Sequence, residues 1–316
     1  MKKFLFIIIC ILFITSVIIC FHSLSGDRGS KSISASTEID VKHTNSSQWF
    51  KSTRTKKIGG VALVVHGLNL KPERMQPIIA ELNDAGIDVL NLSLRGHGNN
   101  YLKNENLSID EARLESFRRV TYDLWLNEIY EAYLKVRQRA SKENVPVFFI
   151  GYSLGGLMGC DLILSYPDVS YDRMIFFSPA LNVTMESYLL KALMLFPNVV
   201  IDSLSPLYYR ANVGTPMTAY KALFEAVKNF KNNINDKLNK PTLIFIDEND
   251  EFVSCSKLNT MIAERNLDHW QIHMIQKDND AGENISYHLI IDRDSVGKKT
   301  WNEIKAGIKR HLRIGT

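Results

Sequence analysis

The segment Val147–Gly156 constrains the fold of this chain more than any other. It reads Val-Phe-Phe-Ile-Gly-Tyr-Ser-Leu-Gly-Gly, an apolar run that ends in Gly-x-Ser-x-Gly and passes at once into a helical pattern up to Pro167. Strand, sharp turn and helix in this order are typical of a nucleophile elbow, which presents a serine hydroxyl above the edge of a sheet. The pattern therefore predicts that Ser153 is a nucleophile.

Two glycines flank this serine for a steric reason. The chain must reverse within a few residues, so a β-carbon at Gly151 or Gly155 is expected to collide with the neighbouring strand or helix. The turn also places the Leu154 N–H at a helix start, where amides lack intrahelical acceptors and the dipole favours negative charge. A nucleotide-binding turn is the alternative, but no phosphate-loop lysine accompanies the motif.

Apolar runs alternate with helical patterns along the rest of the chain. Continuous apolar runs suit strands that are buried on both faces of a parallel sheet. The predicted strands cover residues 61–65, 87–93, 147–152, 173–177, 242–246 and 271–275, with an edge strand or hairpin within 48–60. This alternation predicts an α/β protein with a mostly parallel central sheet that helices cover on both faces.

The first 25 residues have the layout of an export segment. Met1-Lys2-Lys3 precedes an apolar run from Phe4 to Phe21, which is just long enough to span a bilayer. We expect a signal or membrane anchor at residues 1–25, with the body outside the cytoplasm, or secreted or periplasmic if the segment is cleaved. Residues 26–47, rich in Ser, Lys, Thr and Asp, indicate a disordered stalk.

Residues 48–316 are expected to form the α/β domain, and a segment at about 180–240 interrupts its strand–helix rhythm. The interpretation is a helical cap inserted after the sixth strand, over the strand ends. It holds a Leu/Met-rich helix near Met185–Phe196 and an amphipathic helix near Ala219–Leu238. The first helix lines a lipophilic entrance or packs against the sheet, and the pattern leaves both alternatives open.

Charge and cysteine content exclude several classes of function. The net charge is +4 and the basic residues are dispersed, which does not make a nucleic-acid footprint. Four cysteines, two of them in the first apolar segment, give neither a disulfide framework nor zinc-ligand spacing, so we expect no metal. The expected contact with a membrane is through the N-terminal segment, and the oligomeric state stays open.

A serine hydroxyl needs an imidazole within hydrogen-bond reach to act as a nucleophile. In chains with this elbow the order is nucleophile, acid, base, which leaves four histidines after Ser153. Three of these are expected before a strand, within a strand and in the terminal helix: His269, His273 and His311. His288 follows a polar loop after that strand, so we predict that His288 is the base.

The acid is expected in the turn from Asp247 to Val253, which holds four carboxylates directly after a strand. Asp250 is favoured because the chain returns to an apolar residue at Val253, which leaves Asp250 at the apex of the turn. Asp247 is the alternative. The acid holds the histidine tautomer and stabilises the imidazolium without taking the proton.

Two backbone amides are expected to bind the developing oxyanion. One is Leu154, directly after the nucleophile, and the other is Leu68 in the loop that follows the Val61–Val65 strand. His66, at the start of this loop, is expected to brace it through hydrogen bonds rather than to act as a base.

Several of these motifs together resemble one branch of a known superfamily. They are His66-Gly67, Arg95-Gly96-His97-Gly98, Gly151–Gly156, the turn from Asp250 to Val253, and His288. Together they resemble the monoacylglycerol lipase and serine aminopeptidase branch of the α/β-hydrolase superfamily, from about Gly59 to the C-terminus. The resemblance implies an α/β-hydrolase fold, a Ser153–Asp250–His288 triad and an acyl-enzyme without a cofactor. In two places the chain departs from the branch: Ser93 stands where an Asp is usual, and Glu251-Phe252-Val253 matches loosely.

The expected activity is cleavage of a small lipid or other carboxylic ester with an apolar acyl chain. An aminopeptidase on the same scaffold is the first alternative, and it needs a carboxylate such as Glu186 or Glu225 for the substrate ammonium. A non-catalytic exported binding protein that has kept the fold is the second alternative, because function resides in the site and not in the fold.

Overall fold

The computed structural model describes residues 47–53, 57–183, 198–203, 205–282 and 285–313. The chain divides into two units, residues 1–40 and residues 41–316, and all described residues belong to the second. The expected signal or anchor segment, the stalk up to residue 46 and the helix expected near Met185–Phe196 lie outside the described residues. Of the helices that are described, none combines the length and apolarity that crossing a bilayer requires.

The strands form one large sheet and one small one. In chain order they are β1 Ser47–Phe50, β2 Gly60–Val65, β3 Ile87–Leu92, β4 Val147–Tyr152, β5 Arg173–Phe177, β6 Val200–Asp202, β7 Gly214–Pro216, β8 Thr242–Asp247 and β9 Trp270–Ile275. The large sheet has the order β1-β3-β2-β4-β5-β8-β9, and β6 pairs with β7 separately. The edge strand β1 is antiparallel to β3, and the other pairs of the large sheet are parallel.

Helices lie on both faces of this sheet, as predicted. They are α1 Gln76–Asp84, α2 Ile109–Phe117, α3 Tyr122–Glu143, α4 Leu154–Ser165, α5 Met217–Asn233, α6 Cys255–Glu264, α7 Arg293–Val296 and α8 Lys298–His311. Short 3-10 turns at Pro72–Met75 and Asp236–Leu238 precede α1 and β8. The helix α1 therefore continues from a 3-10 turn that begins at Pro72, and Gly86, at φ 92°, follows its end.

Alternating residues of β2 divide the core into two layers. Val61, Leu63 and Val65 pack in the cluster that contains α3, α4 and α5, whereas Ala62 and Val64 pack in the cluster with α1 and α8. All six residues of β2 are buried. Because successive side chains of a strand point to opposite faces, a strand covered on both sides must be apolar throughout.

The insertion between β5 and β8 holds β6, β7 and α5 among its described residues. A single described strand, β1, precedes β2, so the insertion follows the fifth strand of the sheet rather than the sixth that we expected. The apolar face of α5, including Leu223 and Phe230, is buried in the same core cluster as α4. This described part of the predicted cap therefore packs mainly against α4 and α3.

The close approach of α4 to β2 makes Gly155 sensitive to substitution. A β-carbon on Gly155 would fall on the backbone carbonyl of Val65, which cannot move away as a side-chain end can. Gly155→Ala is therefore expected to lower the free energy of unfolding by about 2 kcal/mol or more, measured by urea denaturation. Gly59→Ala is the matched control, because its β-carbon meets only the Gly86 carbonyl at 3.8 Å. Equally small effects of both substitutions would contradict this packing.

Candidate active site

Ser153 occupies a strained turn between β4 and α4. Its backbone has φ 51° and ψ −113°, a positive φ that is unusual for a residue other than glycine. The Ser153 N–H donates to the Phe177 carbonyl at 2.9 Å, and the Ser153 carbonyl accepts from the Ala180 N–H at 3.1 Å. A β-carbon on Gly151 would lie 2.5 Å from the Gly156 nitrogen, so this tight reversal requires glycine there.

His288 and Asp250 meet this serine in one chain of hydrogen bonds. His288 Nε2 lies 2.8 Å from Ser153 Oγ, and His288 Nδ1 lies 3.0 and 2.9 Å from the two carboxylate oxygens of Asp250. The three residues follow β4, β8 and β9, which are parallel neighbours or near neighbours in the sheet. Loops after the carboxyl ends of parallel strands meet at one edge, so the topology brings them together.

The Asp250 carboxylate is held by its own turn as well as by the imidazole. Its Oδ1 accepts from the N–H groups of Phe252 and Val253, both at 2.9 Å. Burial alone raises the pKa of Asp250, but the charge and hydrogen bond of His288 and these two amides together hold the pKa below its usual value. Asp250 is therefore an anion at neutral pH that fixes His288 with Nδ1 protonated.

Asp247, the alternative acid, accepts hydrogen bonds within its own turn. Its Oδ1 accepts from the backbone N–H of Asn249 at 2.9 Å and from the Asn249 side-chain amide at 3.3 Å. These bonds close the first part of the turn, and burial raises the pKa of Asp247. The structure thus places Asp250, and not Asp247, against His288.

The loop after β2 lies directly beside Ser153. A β-carbon on Gly67 would come within 2.7 Å of the Tyr152 ring and 3.1 Å of Ser153 Cβ, so this position needs glycine. Leu68 follows Gly67 in this loop, and Leu154 begins α4 directly after Ser153. Among the backbone hydrogen bonds of the described residues, neither the Leu68 N–H nor the Leu154 N–H has an acceptor.

Two buried histidines hold this loop in place. His66 Nδ1 lies 2.8 Å from the Gly67 carbonyl, and His66 Nε2 accepts from the Leu94 N–H at 3.1 Å. His97 Nε2 accepts from the Asn69 N–H at 3.0 Å, and its Nδ1 lies 3.3 Å from the Leu94 carbonyl. Accepting at Nε2 and donating at Nδ1 requires a neutral ring in both cases.

Burial accounts for the neutral state of these rings. It lowers the pKa of His66 to about 4 and that of His97 well below its usual value. Charge repulsion from His66, whose ring centroid lies 4.5 Å away, lowers the pKa of His97 further. The predicted bracing by His66 is present in the structure. The matching contact of His97 was not predicted, although the Arg-Gly-His-Gly motif was its signal.

The insertion between β5 and β8 also forms hydrogen bonds with the loop after β2. Asn69, at φ 54°, accepts through Oδ1 from the Asn212 N–H at 2.9 Å, and its side-chain amide donates to the Asn212 carbonyl at 3.2 Å. The Ala211 N–H also donates to the Asn69 carbonyl at 2.8 Å, and Asn212 Nδ2 donates to the Gly96 carbonyl at 2.9 Å. The loop that carries Leu68 is therefore fixed by two separate parts of the chain.

Glu251 braces the loop that carries His288, a role that sequence reasoning missed. Its two carboxylate oxygens accept from the backbone N–H groups of Tyr287 at 2.9 Å and His288 at 3.0 Å. The sequence signal was the acidic turn itself, but its pattern does not show which carboxylate beside the favoured Asp250 reaches the loop of His288. The Glu251 side chain, next to Asp250 in the chain, thus holds the backbone of His288.

Lys277 holds the same loop through its carbonyls. Its ammonium donates to the Ser286 carbonyl at 2.7 Å and to the Leu289 carbonyl at 3.0 Å. Burial lowers the pKa of Lys277 to about 8, against the attraction of nearby carboxylates that include Asp247 and Glu251. Lys277 and Glu251 together fix all four residues from 286 to 289.

The other polar candidates do not form a metal site in the part of the chain that the structure describes. Within it, no three His, Cys, Asp or Glu side chains are grouped so that they could hold a metal ion. Cys160 and Cys255 are both buried free thiols. His269 precedes β9, His273 lies within β9 and His311 ends α8, as expected.

The fold is that of an α/β-hydrolase. Its marks are the sheet order, the elbow at Ser153, and the positions of Ser153, Asp250 and His288 after β4, β8 and β9. Residues 56–217 match the family described as serine aminopeptidase, S33, and the chain belongs to this family. The resemblance to the monoacylglycerol lipase and serine aminopeptidase branch is thereby confirmed. No curated protein matches the chain in sequence.

Solved structures of lipolytic enzymes share the fold. A soluble variant of monoglyceride lipase from Saccharomyces cerevisiae, in complex with a substrate analog, aligns over 89% of this chain and 98% of its own, with a TM-score of 0.67 and 13% identity. The monoacylglycerol lipase of Paleococcus ferrophilus aligns over 84% and 97%, with a TM-score of 0.62 and 17% identity. A structure described with LipS and LipT, two metagenome-derived lipolytic enzymes, aligns over 85% and 97%, with a TM-score of 0.63 and 18% identity. At these identities the similarity shows the fold.

The neutral His66 predicts that the protein loses stability in acid. The unfolded chain binds this proton with a pKa near 6.5, whereas the folded chain binds it near 4, so stability falls as the pH decreases between these values. A decrease from about pH 7 to about pH 5 is expected to lower the free energy of unfolding by about 2 kcal/mol through His66.

Urea denaturation at both pH values tests this expectation. His66→Gln should be less stable overall but less dependent on pH than the wild type, since the titrating group is gone. His269→Gln, which alters an exposed residue, is the matched control and should keep the wild-type pH dependence. An unchanged pH dependence in His66→Gln would show that the ring is not held neutral.

Proposed function

We propose that the chain is a serine hydrolase that cleaves carboxylic esters through an acyl-enzyme on Ser153. The observation that carries the proposal is the hydrogen-bond chain from Ser153 Oγ to His288 Nε2, at 2.8 Å, and from His288 Nδ1 to Asp250, at 2.9 Å. A nucleophile, a base and an orienter of the base in this order are what acyl transfer by serine needs.

The reaction follows from this geometry in two halves. His288 takes the proton from Ser153 Oγ as the oxygen attacks the ester carbonyl, and Asp250 stabilises the imidazolium that forms. The imidazolium then gives its proton to the departing alcohol, which leaves the acyl group on Ser153. Water, activated by the same imidazole, releases the acid and restores the serine.

The Leu68 and Leu154 amides are the proposed oxyanion donors. Leu68 lies between Gly67, whose carbonyl is tied to His66, and Asn69, whose N–H is tied to His97. Donors that are fixed before the substrate binds need no reorganisation when charge develops, which is why such sites stabilise the transition state. The two neutral histidines therefore support catalysis through the loop without touching the substrate.

The proposed substrates are small lipid esters with an apolar acyl chain. The Phe252 ring stands edge-on to the His288 ring at 5.2 Å, and both Phe252 and Tyr287 are exposed beside it. The similar yeast structure is a monoglyceride lipase in complex with a substrate analog, which supports the same substrate class. The apolar residues expected to line an entrance, Leu189, Leu190, Leu193, Met194, Leu195 and Phe196, lie outside the described residues.

The two alternatives have less support. Of the carboxylates expected to hold a substrate ammonium, Glu186 lies outside the described residues, and Glu225 is exposed on α5, where it lies 3.8 Å from Lys221. The hydrogen bonds that join Ser153, His288 and Asp250 disfavour the second alternative, a non-catalytic binding protein, because such a protein does not need them. Export through residues 1–25, as an anchor or a cleaved signal, remains part of the proposal, and its support is the sequence alone.

Substrate turnover tests the proposed reaction. p-Nitrophenyl esters of increasing chain length and monoacylglycerols are expected to be hydrolysed, and aminoacyl-anilides are not. Ser153→Ala and His288→Ala should each lower kcat by about a thousandfold or more while the folded state persists, because either change removes the nucleophile–base unit. Anilide cleavage that exceeds ester cleavage would favour the aminopeptidase, and near wild-type turnover in either variant would refute the assignment.

The contact of Glu251 with the His288 backbone predicts a second effect on rate. Glu251→Gln replaces one acceptor oxygen with an amide that cannot accept from an N–H, so the imidazole loses part of its positioning. We expect kcat for esters to fall about tenfold or more, with a smaller change in KM. Glu248→Gln, an exposed residue of the same turn, is the matched control. A kcat for Glu251→Gln equal to that of the control would show that the loop holds without this contact.

A further inference from the structure

A basic cavity lies at the edge of the sheet opposite to Ser153. It has a volume of about 290 Å³. Its lining comes from Arg173 at the start of β5, from Leu243 in β8, from Gln271, Ile272 and His273 in β9, and from the end of α8 and the residues after it. Three arginines and two histidines line this basic cavity: Arg173, Arg310, Arg313, His273 and His311. Because Ser153 follows the carboxyl end of β4 and Arg173 begins the parallel β5, the two sites are on opposite edges.

The cavity has no acidic side chain in its lining. Arg173 and Arg310 make no ion pair with any residue in the part of the chain that is described. The nearest acid in sequence, Asp172, uses one carboxylate oxygen to accept from the Val147 N–H at 2.8 Å. Among the described residues, the lining of this concave surface thus contains five arginine and histidine side chains and no carboxylate side chain.

Folding brings the guanidinium of Arg173 close enough to Arg313 and His311 for their charges to interact. Burial, and then the charge of Arg313, lowers the pKa of Arg173, and burial, and then the charge of Arg173, lowers the pKa of His311. Residues in the last turn of α8, such as Arg310 and His311, suit the negative end of a helix dipole. That explanation does not extend to Arg173 and His273, which come from strands.

We propose that the basic cavity binds a phosphomonoester. Guanidinium groups on separate elements can each bind phosphate oxygens in a forked pair, which a lysine or a single helix end cannot reproduce. Apolar side chains, Leu243 and Ile272, also line the cavity, and its volume leaves space for a small organic group beside the phosphate. The proposal does not depend on the chemistry at Ser153.

Isothermal titration calorimetry of the full chain with inorganic phosphate and with glycerol phosphate tests the proposal. Saturable binding is expected in the wild type and equally in Ser153→Ala. Arg173→Gln and Arg310→Gln should each weaken binding about tenfold, the usual loss for a hydrogen bond between charged groups. Arg119→Gln, an exposed arginine paired with Glu115, is the matched control and should bind as the wild type does.

Vesicles distinguish the two sources of a phosphomonoester. Preferential binding to phosphatidylcholine vesicles that contain phosphatidic acid, lost in Arg310→Gln, would support a lipid headgroup. Binding of glycerol phosphate without this preference would support a free phosphomonoester. Three outcomes would overturn the proposal: no saturable phosphate binding, wild-type affinity in both arginine variants, or acetate binding as tight as that of phosphate.

Discussion

The hydrogen bond that Ser153 Oγ donates to His288 Nε2, 2.8 Å long, is the contact around which the site is built. It joins residues that are 135 positions apart in the chain. No local preference can make such a contact, so the parallel order of β4, β8 and β9 must bring the two loops to one edge. The positive φ of Ser153 is the local strain that accompanies it, and bonds to Phe177 and Ala180 hold that strain in place.

Around this contact, the polar groups of the site are held by partners that do not react. Glu251 and Lys277 fix the backbone of the histidine loop, and His66 and His97 fix the loop that carries Leu68. Burial keeps both histidines neutral, so that each ring accepts at one nitrogen and donates at the other. Such preorganisation explains how two loops and a strained turn can present groups at hydrogen-bond distances before a substrate binds.

The sequence was sufficient for features that local patterns determine. A continuous apolar run predicted β2, and the strand–turn–helix order predicted the elbow at Ser153, because both depend on neighbours in the chain. Chain order and loop position also singled out His288 and favoured Asp250. The sequence could not select Glu251 among the carboxylates of the turn, because the two amides that Glu251 binds are 36 and 37 positions away in the chain. Nor could the amphipathic pattern of α5 show which surface covers its apolar face, which packs with α4.

The most direct test of the central claim is to identify the residue that reacts with a fluorophosphonate and to measure its rate. Mass spectrometry of the labelled wild type should find a single adduct on Ser153. Labelling of His288→Ala should be slower by about a hundredfold or more, because the imidazole no longer accepts the serine proton. An adduct on another residue, an unlabelled wild type, or equal rates in the two proteins would contradict the account.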